Sequence, residues 1–407
     1  MQRANYKFVF TLVTAAAVAF ALWTPRAQGQ TEKIIYRFTG GTDGSIPQGG
    51  LLIDARGNLY GVTDNGGPTG GGTVYELSPG SGGSWTKTVL HSFTFGTGDV
   101  ALPASNLVSD AKGNLYGISY FEGAHQAGGI FELSPDSNGT WTEKVIYSFA
   151  GGDDVVPFTS CLAIDSAGNL YSYREAFFSN SGSSYGSVFE LEANTNGTWT
   201  EKILHTFSGG NDGSAPYGER LALDSAGNLY GQAFNGPRDF GLVFELVRGS
   251  SGSWSEKNLR TFQGGADGSA TTGPLVIDRR GNVFGTSGWN AFELIRGSDG
   301  TWTDKTLHTF NGGSDGAYPY SGVTLSASGT AYGTTYEGGL HHGTVFQLTP
   351  LSNGTWTEKI LHRFTTTGGD GIYPPSTSLV LDGHGNLYGI TSEGGISNNG
   401  VVFEVTP

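Results

Sequence analysis

Cysteine and basic residues are scarce in this chain of 407 residues, and each scarcity excludes a class of protein. The single cysteine, Cys161, rules out an internal disulfide framework and a cysteine-based zinc site. Lys and Arg number 22 against 36 Asp and Glu, so the chain lacks the basic excess with which proteins bind nucleic acid. No H-E-x-x-H or P-loop motif is present. We therefore expect an acidic protein with no nucleic-acid partner.

Long apolar runs are also scarce, and the one that exists lies at the N-terminus. Arg3 and Lys7 precede the 16 residues Phe8–Trp23, and the small-residue stretch Ala27–Gly29 follows them. A cationic start, an apolar stretch and a small-residue site together are typical of a secretory signal peptide, which we predict over residues 1–29. The run is shorter than the roughly 20 residues of a membrane span, although an uncleaved anchor is the alternative. We expect a secreted protein, periplasmic or extracellular, with no membrane span after cleavage.

Glycine, by contrast, is abundant at 68 residues, beside 24 Phe and 18 Tyr. The aromatic content excludes a disordered chain. Seven copies of one unit, spaced 48 to 59 residues apart, fill the chain beyond the signal peptide; their G-N-L-Y-G phrases, or variants of it, begin at Gly57, Gly113, Gly168, Gly227, Gly281, Gly329 and Gly385. Residues 30–407 are therefore expected to form a single domain.

Each copy contains four strand signals separated by glycine-rich turns. In the first copy the strands are predicted at 51–54, 59–63, 73–78 and 85–93. Four antiparallel strands repeated seven times indicate an all-β protein, a seven-bladed β-propeller.

The two ends of the repeat array predict how the ring closes. The seventh copy stops at 401–405 without the Trp-led fourth strand that ends the other six. The missing piece appears near the N-terminus, where Glu32–Phe38 (EKIIYRF) matches Glu358–Phe364 (EKILHRF). We predict that this N-terminal strand completes the last blade, which removes an exposed sheet edge.

Residues repeated in nearly every copy are interpreted first as residues that stabilise the fold. The Asp of D-x-x-G-N, for example Asp54, is predicted to accept backbone N–H groups in a tight turn. A second repeated carboxylate lies in a G-G-x-D-G loop between blades, at Asp43, Asp99, Asp154, Asp212, Asp267, Asp315 and Asp370. Turn capping is the favoured interpretation of these seven. Calcium is the alternative, although each loop offers a single carboxylate and calcium prefers six to eight oxygens; otherwise no cofactor is expected.

The connection between strands two and three differs most among the copies. Copy five is shortened and carries Trp289, which predicts a notch with a platform for a sugar ring or an apolar group. The alternative is that Trp289 fills the volume that the missing loop vacates. Copy three is longer and includes Arg174 and Glu175.

Other non-repeated polar residues occupy the same loops and are further candidates for ligand binding: Glu122, His125, Arg238, Glu337, His341, His342 and Glu393. Glu122 and Glu337 each have a His a few residues on, which is a pattern for acid–base chemistry or metal binding. The alternative is an ordinary solvated loop face.

The whole unit, G-G-x-D-G, D-x-x-G-N-L-Y-G-x-T, G-T-V-F-E-L and W-T-E-K-x-L-H-x-F, resembles the tandem repeat of the choice-of-anchor GloVer-containing proteins over about 32–407. The D-x-x-G-N-L-Y element is also similar to NHL propeller repeats. The resemblance implies a bacterial exported or surface protein and brings no catalytic residues with it.

These observations favour a non-catalytic exported propeller that binds a glycan, peptide or protein partner on its loop-rich face. One alternative is a carbohydrate-active hydrolase or lyase that uses acidic residues at the mouth of the central channel. Another is a purely structural cell-surface module.

Overall fold

The computed structural model describes residues 31–96, 99–151, 162–174, 177–179, 182–270 and 273–407. These residues form seven blades of four antiparallel strands, which confirms the predicted seven-bladed β-propeller. The signal peptide predicted over residues 1–29 lies outside the described residues, as does Cys161. Nowhere in the described ranges is there a helix with the length and hydropathy of a membrane span.

The strands are numbered β1 to β33 along the chain, and each blade runs from its innermost to its outermost strand. Blade 1 contains β2 (Ser45–Ile53), β3 (Leu59–Asn65), β4 (Thr73–Pro79) and β5 (Trp85–Ser92). Blade 2 contains β6 (Val100–Pro103), β7 (Val108–Ser109), β8 (Leu115–Glu122), β9 (Gly129–Pro135) and β10 (Trp141–Ser148). Blade 3 contains β11 (Ala163–Ile164), β12 (Leu170–Arg174), β15 (Ser187–Ala193) and β16 (Trp199–Thr206), with a small added hairpin of β13 (Phe177–Ser179) and β14 (Gly182–Ser184).

Blade 4 contains β17 (Ser214–Leu223), β18 (Leu229–Asn235), β19 (Leu242–Arg248) and β20 (Trp254–Thr261). Blade 5 contains β21 (Val276–Ile277), β22 (Val283–Ser287), β23 (Asn290–Arg296) and β24 (Trp302–Thr309). Blade 6 contains β25 (Thr324–Leu325), β26 (Ala331–Thr335), β27 (Thr344–Pro350) and β28 (Trp356–Arg363). Blade 7 contains β30 (Val380–Leu381), β31 (Leu387–Thr391), β33 (Val401–Thr406) and β1 (Thr31–Arg37), with the short pair β29 (Gly371–Ile372) and β32 (Glu393–Gly394) beside it.

The two ends of the chain close the ring as predicted. Strand β1 pairs antiparallel with β33, from Thr31 opposite Thr406 to Arg37 opposite Val401. The backbone N–H of Phe38 extends this contact to the carbonyl of Gly400 at 3.2 Å. Since β33 is thereby covered, the last blade has no unpaired edge at this strand.

The innermost strand of blade 1 begins at Ser45, six residues before the predicted start at Leu51. Its pairing with β3 shifts register between Gln48 and Leu52. Gly49 and Gly50 lie in this bulge with φ of 67° and 74°, a conformation that glycine adopts without strain. Glycine is uncommon inside a strand, so the sequence predicts the strand start after Gly49 and Gly50 and misses the residues before them.

The core contains buried aromatic side chains that repeat from blade to blade. The Phe that follows each outermost strand is buried in all seven blades: Phe38, Phe93, Phe149, Phe207, Phe262, Phe310 and Phe364. Each contacts the buried aromatic residue on the third strand of the next blade. Phe93 of blade 1, for example, contacts Phe131 of blade 2 at 5.0 Å between ring centroids. These aromatic pairs fill the space between blades and fix the angle at which blades pack.

The D-x-x-G-N turns confirm the capping role predicted for their aspartates. The Asp54 carboxylate accepts the backbone N–H groups of Arg56 and Asn58 at 2.8 and 2.9 Å. Its second oxygen accepts the Tyr60 hydroxyl at 3.3 Å. In copy six, Ser326 replaces the Asp and its Oγ accepts the Thr330 N–H at 3.1 Å.

Candidate functional site

Two sets of connections form one face of the propeller, which we call the loop face. It combines the connections between strands two and three with the G-G-x-D-G loops between blades. Backbone hydrogen bonds join the two sets: the N–H of Gly67 donates to the Gly41 carbonyl at 3.1 Å, and the N–H of Ala317 donates to the Glu337 carbonyl at 2.8 Å. The loop of one copy also meets the connection of the copy before it, since the N–H of Ala270 donates to the Phe240 carbonyl at 2.8 Å.

The loop face carries most of the exposed large apolar side chains. Of the twelve found among the described residues, nine lie on it: Phe95, Phe121, Tyr185, Phe234, Phe240, Trp289, Tyr336, Leu340 and Ile396. This concentration of exposed apolar side chains makes the loop face the candidate binding surface.

Trp289 lies on the shortest connection of the face. Strands β22 and β23 pair up to Ser287 and Asn290, which leaves Gly288 and Trp289 as a two-residue turn. The side chain of Trp289 is 38% exposed, and its ring centroid lies 4.7 Å from that of Tyr318. Trp289 thus packs on Tyr318 and presents part of its ring to solvent on the loop face.

A continuous run of rings extends from Trp289 across blades 5 to 7, and we call it the aromatic strip. Its members are Trp289, Tyr318, Tyr320, Tyr336, Tyr373 and His342. The successive centroid distances are 4.7, 5.5, 6.3, 5.3 and 5.4 Å. Tyr318 and Tyr320 are stacked at an interplanar angle of 28°, and Tyr336 and Tyr373 at 30°. The strip is an extended platform of half-buried and exposed rings.

The loop backbone explains why two of these tyrosines project onto the face. Tyr318 and Tyr373 stand three residues after the loop aspartate of their copies, in D-G-A-Y-P and D-G-I-Y-P. Both have left-handed φ values, 58° and 53°. Hydrogen bonds hold this conformation, since the Tyr336 N–H donates to the Tyr318 carbonyl and the Tyr373 N–H donates to the His342 carbonyl. Other copies carry Ile46, Leu102 or Ala215 here with similar φ, so the geometry belongs to the repeat and the tyrosines are specific to blades 6 and 7.

Two predicted carboxylates flank the aromatic strip. Glu337 and Glu393 are exposed, and both lie close enough to Tyr336 to raise the pKa of its hydroxyl, after the larger effect of burial. Burial, and then the neighbouring Tyr318 and Glu337, raise the pKa of Tyr320. His341 is exposed beside them, and His342 belongs to the strip itself with a buried Nδ1 that has no hydrogen-bond partner among the described residues. Four of the predicted residues therefore lie along or beside the aromatic strip that begins at Trp289.

The remaining predicted residues lie elsewhere on the ring. Glu122 ends β8 in blade 2 and accepts the Gln126 side-chain N–H at 3.0 Å, and His125 is exposed nearby. Arg238 is exposed on the blade 4 connection. Arg174 forms an ion pair with Glu201 and is largely buried there, while Glu175 lies outside the described residues. These residues do not join the aromatic strip.

The loop aspartates are bound individually by their own loops. Asp212 accepts the Ser208 N–H at 2.6 Å, Asp315 accepts the Asn311 N–H at 2.7 Å, and Asp370 accepts the Thr365 N–H at 3.0 Å. Equivalent backbone bonds reach Asp43, Asp99 and Asp267. Asp154 lies outside the described residues. The described six act as turn caps at the blade junctions, where most also contact a side chain of the preceding outermost strand.

The central channel contains an apolar cavity of about 400 Å³. Its lining comes from the innermost strands, including Leu51, Leu107, Val276, Val323 and Leu379. Among the described residues that line it, Arg220 is the one charged side chain and none is a carboxylate.

Sequence reasoning missed the four tyrosines of the aromatic strip. A signal for them existed, because copies six and seven place Tyr318 and Tyr373 where the other copies have smaller aliphatic residues. Their neighbour Tyr336 follows β26 in a position that is also variable among the copies. A search for aromatic residues at non-repeated positions in consecutive copies would have found the three of them.

Comparison with known proteins gives one family and several structural likenesses. The family model described as Gloeobacter/Verrucomicrobia repeat matches residues 20–182 and 295–407. No curated protein matches the chain.

Similar solved structures include virginiamycin B lyase from Staphylococcus aureus, with 12% identity, a TM-score of 0.54 and coverage of 93% of this chain and 99% of that one. A protein from Lactobacillus plantarum has 16% identity and a TM-score of 0.53, with 85% and 98% coverage. A gluconolactonase from Xanthomonas campestris has 12% identity and a TM-score of 0.44, with 92% and 89% coverage. At such identities the first two likenesses show the fold alone, and the third, with a TM-score below 0.5, carries no argument.

Proposed function

The chain belongs to the Gloeobacter/Verrucomicrobia repeat family, and from this premise we propose that it is an exported, non-catalytic propeller that binds a glycan along the aromatic strip. The observation that carries the proposal is the unbroken series of rings from Trp289 to Tyr373 on an exposed face. A sugar ring presents an apolar C–H face that stacks on aromatic side chains, so spaced rings suit successive units of a chain.

The polar groups beside the strip fit the same ligand. Glu337 and Glu393 supply carboxylate oxygens that accept hydrogen bonds from sugar hydroxyls. His341 is exposed next to His342, the last member of the strip. Apolar platforms with a few polar groups beside them combine affinity with orientation. A glycan is therefore favoured over a purely apolar partner at this site.

The presence of both Glu337 and Glu393 near Tyr336 favours one second candidate, a carbohydrate-active hydrolase or lyase. Paired carboxylates are the usual catalytic groups of glycoside hydrolysis. Both groups are exposed on the face and outside the apolar channel cavity, which gives them no enclosed site that excludes water. We therefore rank binding without turnover ahead of catalysis.

Export belongs to the same proposal. It rests on the apolar run Phe8–Trp23 with its cationic start and small-residue end, which is the pattern of a cleaved signal. Fractionation of the producing cell, with N-terminal sequencing of the released protein, tests it. A mature chain that begins near residue 30 supports export with cleavage, and a full-length chain in the membrane fraction contradicts it.

A polysaccharide array tests the ligand and the chemistry together. The purified protein is applied to immobilised glycans, and both retention and release of soluble sugar are measured. Retention without release supports the binding function. Release that is lost in Glu337→Gln would assign the enzyme function instead, and absence of retention across chemically diverse glycans would leave a structural module or a protein partner.

A further inference from the structure

Three blade junctions gather a histidine and two carboxylates around one point. The groups are His91, Asp99 and Glu143 between blades 1 and 2, His308, Asp315 and Glu358 between blades 5 and 6, and His362, Asp370 and Glu32 between blades 6 and 7. In each group the ligand atoms lie within 4.8 Å of one another. The His comes from the outermost strand of one blade, the Asp from the loop that follows it, and the Glu from the outermost strand of the next blade.

Each of these groups has oxygen atoms that lack a partner. One buried carboxylate oxygen in each Glu, the Oε1 atom of Glu32, Glu143 and Glu358, accepts no hydrogen bond among the described residues. The imidazole Nε2 of His308 lies 3.0 Å from Asp315, and that of His362 lies 3.1 Å from Asp370. Even a protonated histidine supplies one positive charge against two carboxylates. Arg37 near Glu32 and Arg363 near Glu358 offset part of this excess negative charge. Each junction still keeps one glutamate oxygen without a hydrogen-bond partner among the described residues.

The junctions without this histidine contain a basic side chain of the protein. Between blades 4 and 5, Arg260 occupies the histidine position with a side chain that is 5% exposed, and its Nη2 binds Asp267 at 2.6 Å and Asp304 at 3.0 Å. Between blades 7 and 1, Lys87 occupies the glutamate position and donates to the Asp43 carbonyl at 2.6 Å.

The junction between blades 2 and 3 follows the same rule. Arg174 pairs with Glu201 there, beside the hydroxyl of Tyr147, which donates to Glu201 at 3.1 Å. The chain thus supplies a fixed positive charge at three junctions. It places His, Asp and Glu at the remaining four, and in three of these the ligand atoms lie within 4.8 Å of one another.

We propose that the junctions between blades 1 and 2, 5 and 6, and 6 and 7 each bind a divalent cation of the zinc type through one imidazole nitrogen and two carboxylate oxygens. Imidazole is a ligand that zinc accepts readily, and three protein ligands with one water complete its usual tetrahedron. Calcium, the cation named from the sequence, prefers six to eight oxygens and rarely takes nitrogen. The donor set therefore favours zinc.

A cation at these positions joins neighbouring blades. In the first group it connects His91 of β5 to Glu143 of β10, and the third group connects blade 6 to β1, the strand that closes the ring. Because the unfolded chain does not hold the three ligands together, bound metal adds its binding free energy to the stability of the folded ring.

Zinc titration of the purified, EDTA-treated protein at pH 7.5 tests the proposal. We expect calorimetry to show saturable binding of about three Zn²⁺ per chain and a zinc-dependent rise in the melting temperature. The triple variant Glu32→Gln, Glu143→Gln and Glu358→Gln, which keeps side-chain volume, should fold and lose both effects, with at least a tenfold weaker affinity. Calcium at the same concentration should produce neither effect.

Glu256→Gln is the matched control. Its junction contains His205 and Asp212, but its three ligand atoms do not meet the same distance among the described residues. This variant should keep the stoichiometry of the native chain. Unchanged zinc binding by the triple variant would assign the metal to exposed histidines such as His125 and His341 and overturn the proposal. Absence of saturable binding to the native protein, or equal binding of calcium, would overturn it as well.

Discussion

The ring of Trp289 lies 4.7 Å from the ring of Tyr318, although Trp289 belongs to the fifth copy of the repeat and Tyr318 to the loop that begins the sixth. The contact starts the aromatic strip and depends on two deviations from the repeat. The fifth copy shortens its connection to two residues, and the sixth places a tyrosine in a left-handed position. The contact between the two rings involves both changes.

Trp289→Ala and Tyr336→Ala should each weaken glycan binding about tenfold, which corresponds to about 1.4 kcal/mol. Both side chains present exposed ring surface, so truncation removes stacking area while the fold is retained. Phe234→Ala is the matched control, because Phe234 is 53% exposed on the same face but lies outside the strip. Affinity on the glycan identified by the array is the measurement. Equal losses in all three variants would contradict a role specific to the strip.

Arg260→Met should lower the free energy of unfolding by about 2 kcal/mol. The guanidinium group neutralises Asp267 and Asp304 and also lies 4.5 Å from the Phe262 ring. Methionine keeps part of the packing and leaves two carboxylates facing each other. Urea unfolding of Arg260→Met, Asp304→Asn and the double variant gives the coupling energy. We expect Asp304→Asn to restore at least half of the loss, and strictly additive effects would refute the electrostatic explanation.

Glu256 predicts a pH dependence of stability. Burial, and then the charge of Asp212, raise the pKa of Glu256 from 4.5 to about 7. Asp212 is itself bound by His205 at 2.8 Å. The folded protein therefore holds this proton more tightly than the unfolded chain. The contribution to stability is complete below about pH 4.5 and is lost as the pH rises through about 7.

Solvent screening of this half-exposed group limits its contribution to about 1 kcal/mol. Chemical denaturation at pH 5 and pH 8 in EDTA should therefore show Glu256→Gln losing less stability than the native chain across this interval. Identical pH profiles for the two proteins would show that Glu256 ionises normally in the fold.

Gly117→Ala should destabilise the protein by about 2 kcal/mol. A Cβ at Gly117 would lie 2.3 Å from the Phe131 ring and 3.0 Å from Leu107, inside the core. The matched control is Gly383→Ala, where no atom lies within 4 Å and the backbone is not left-handed. That variant should change stability by less than about 0.5 kcal/mol. Thermal unfolding of both variants distinguishes close packing from a general loss of glycine flexibility.

The sequence predicted the parts of the site that depend on one repeat. Trp289 is identified because its copy is shortened. The capping role of Asp54 is predicted because the Asp of D-x-x-G-N recurs in six copies, where a catalytic carboxylate would be redundant. Arg174 looked like a free loop residue, yet it lies against Glu201 in a blade junction. The partner of a loop residue comes from another blade, and local patterns carry no information about it.

The sequence by itself determined the number of blades, the four strands of each and the closure of the last blade by Glu32–Phe38, because a period and its interruption are visible in the order of residues. The tertiary structure alone decided which non-repeated side chains meet. Trp289 with Tyr318, and His91 with Glu143, come together because the closed ring packs each blade against its neighbour, and contacts across those junctions join residues that are distant in sequence.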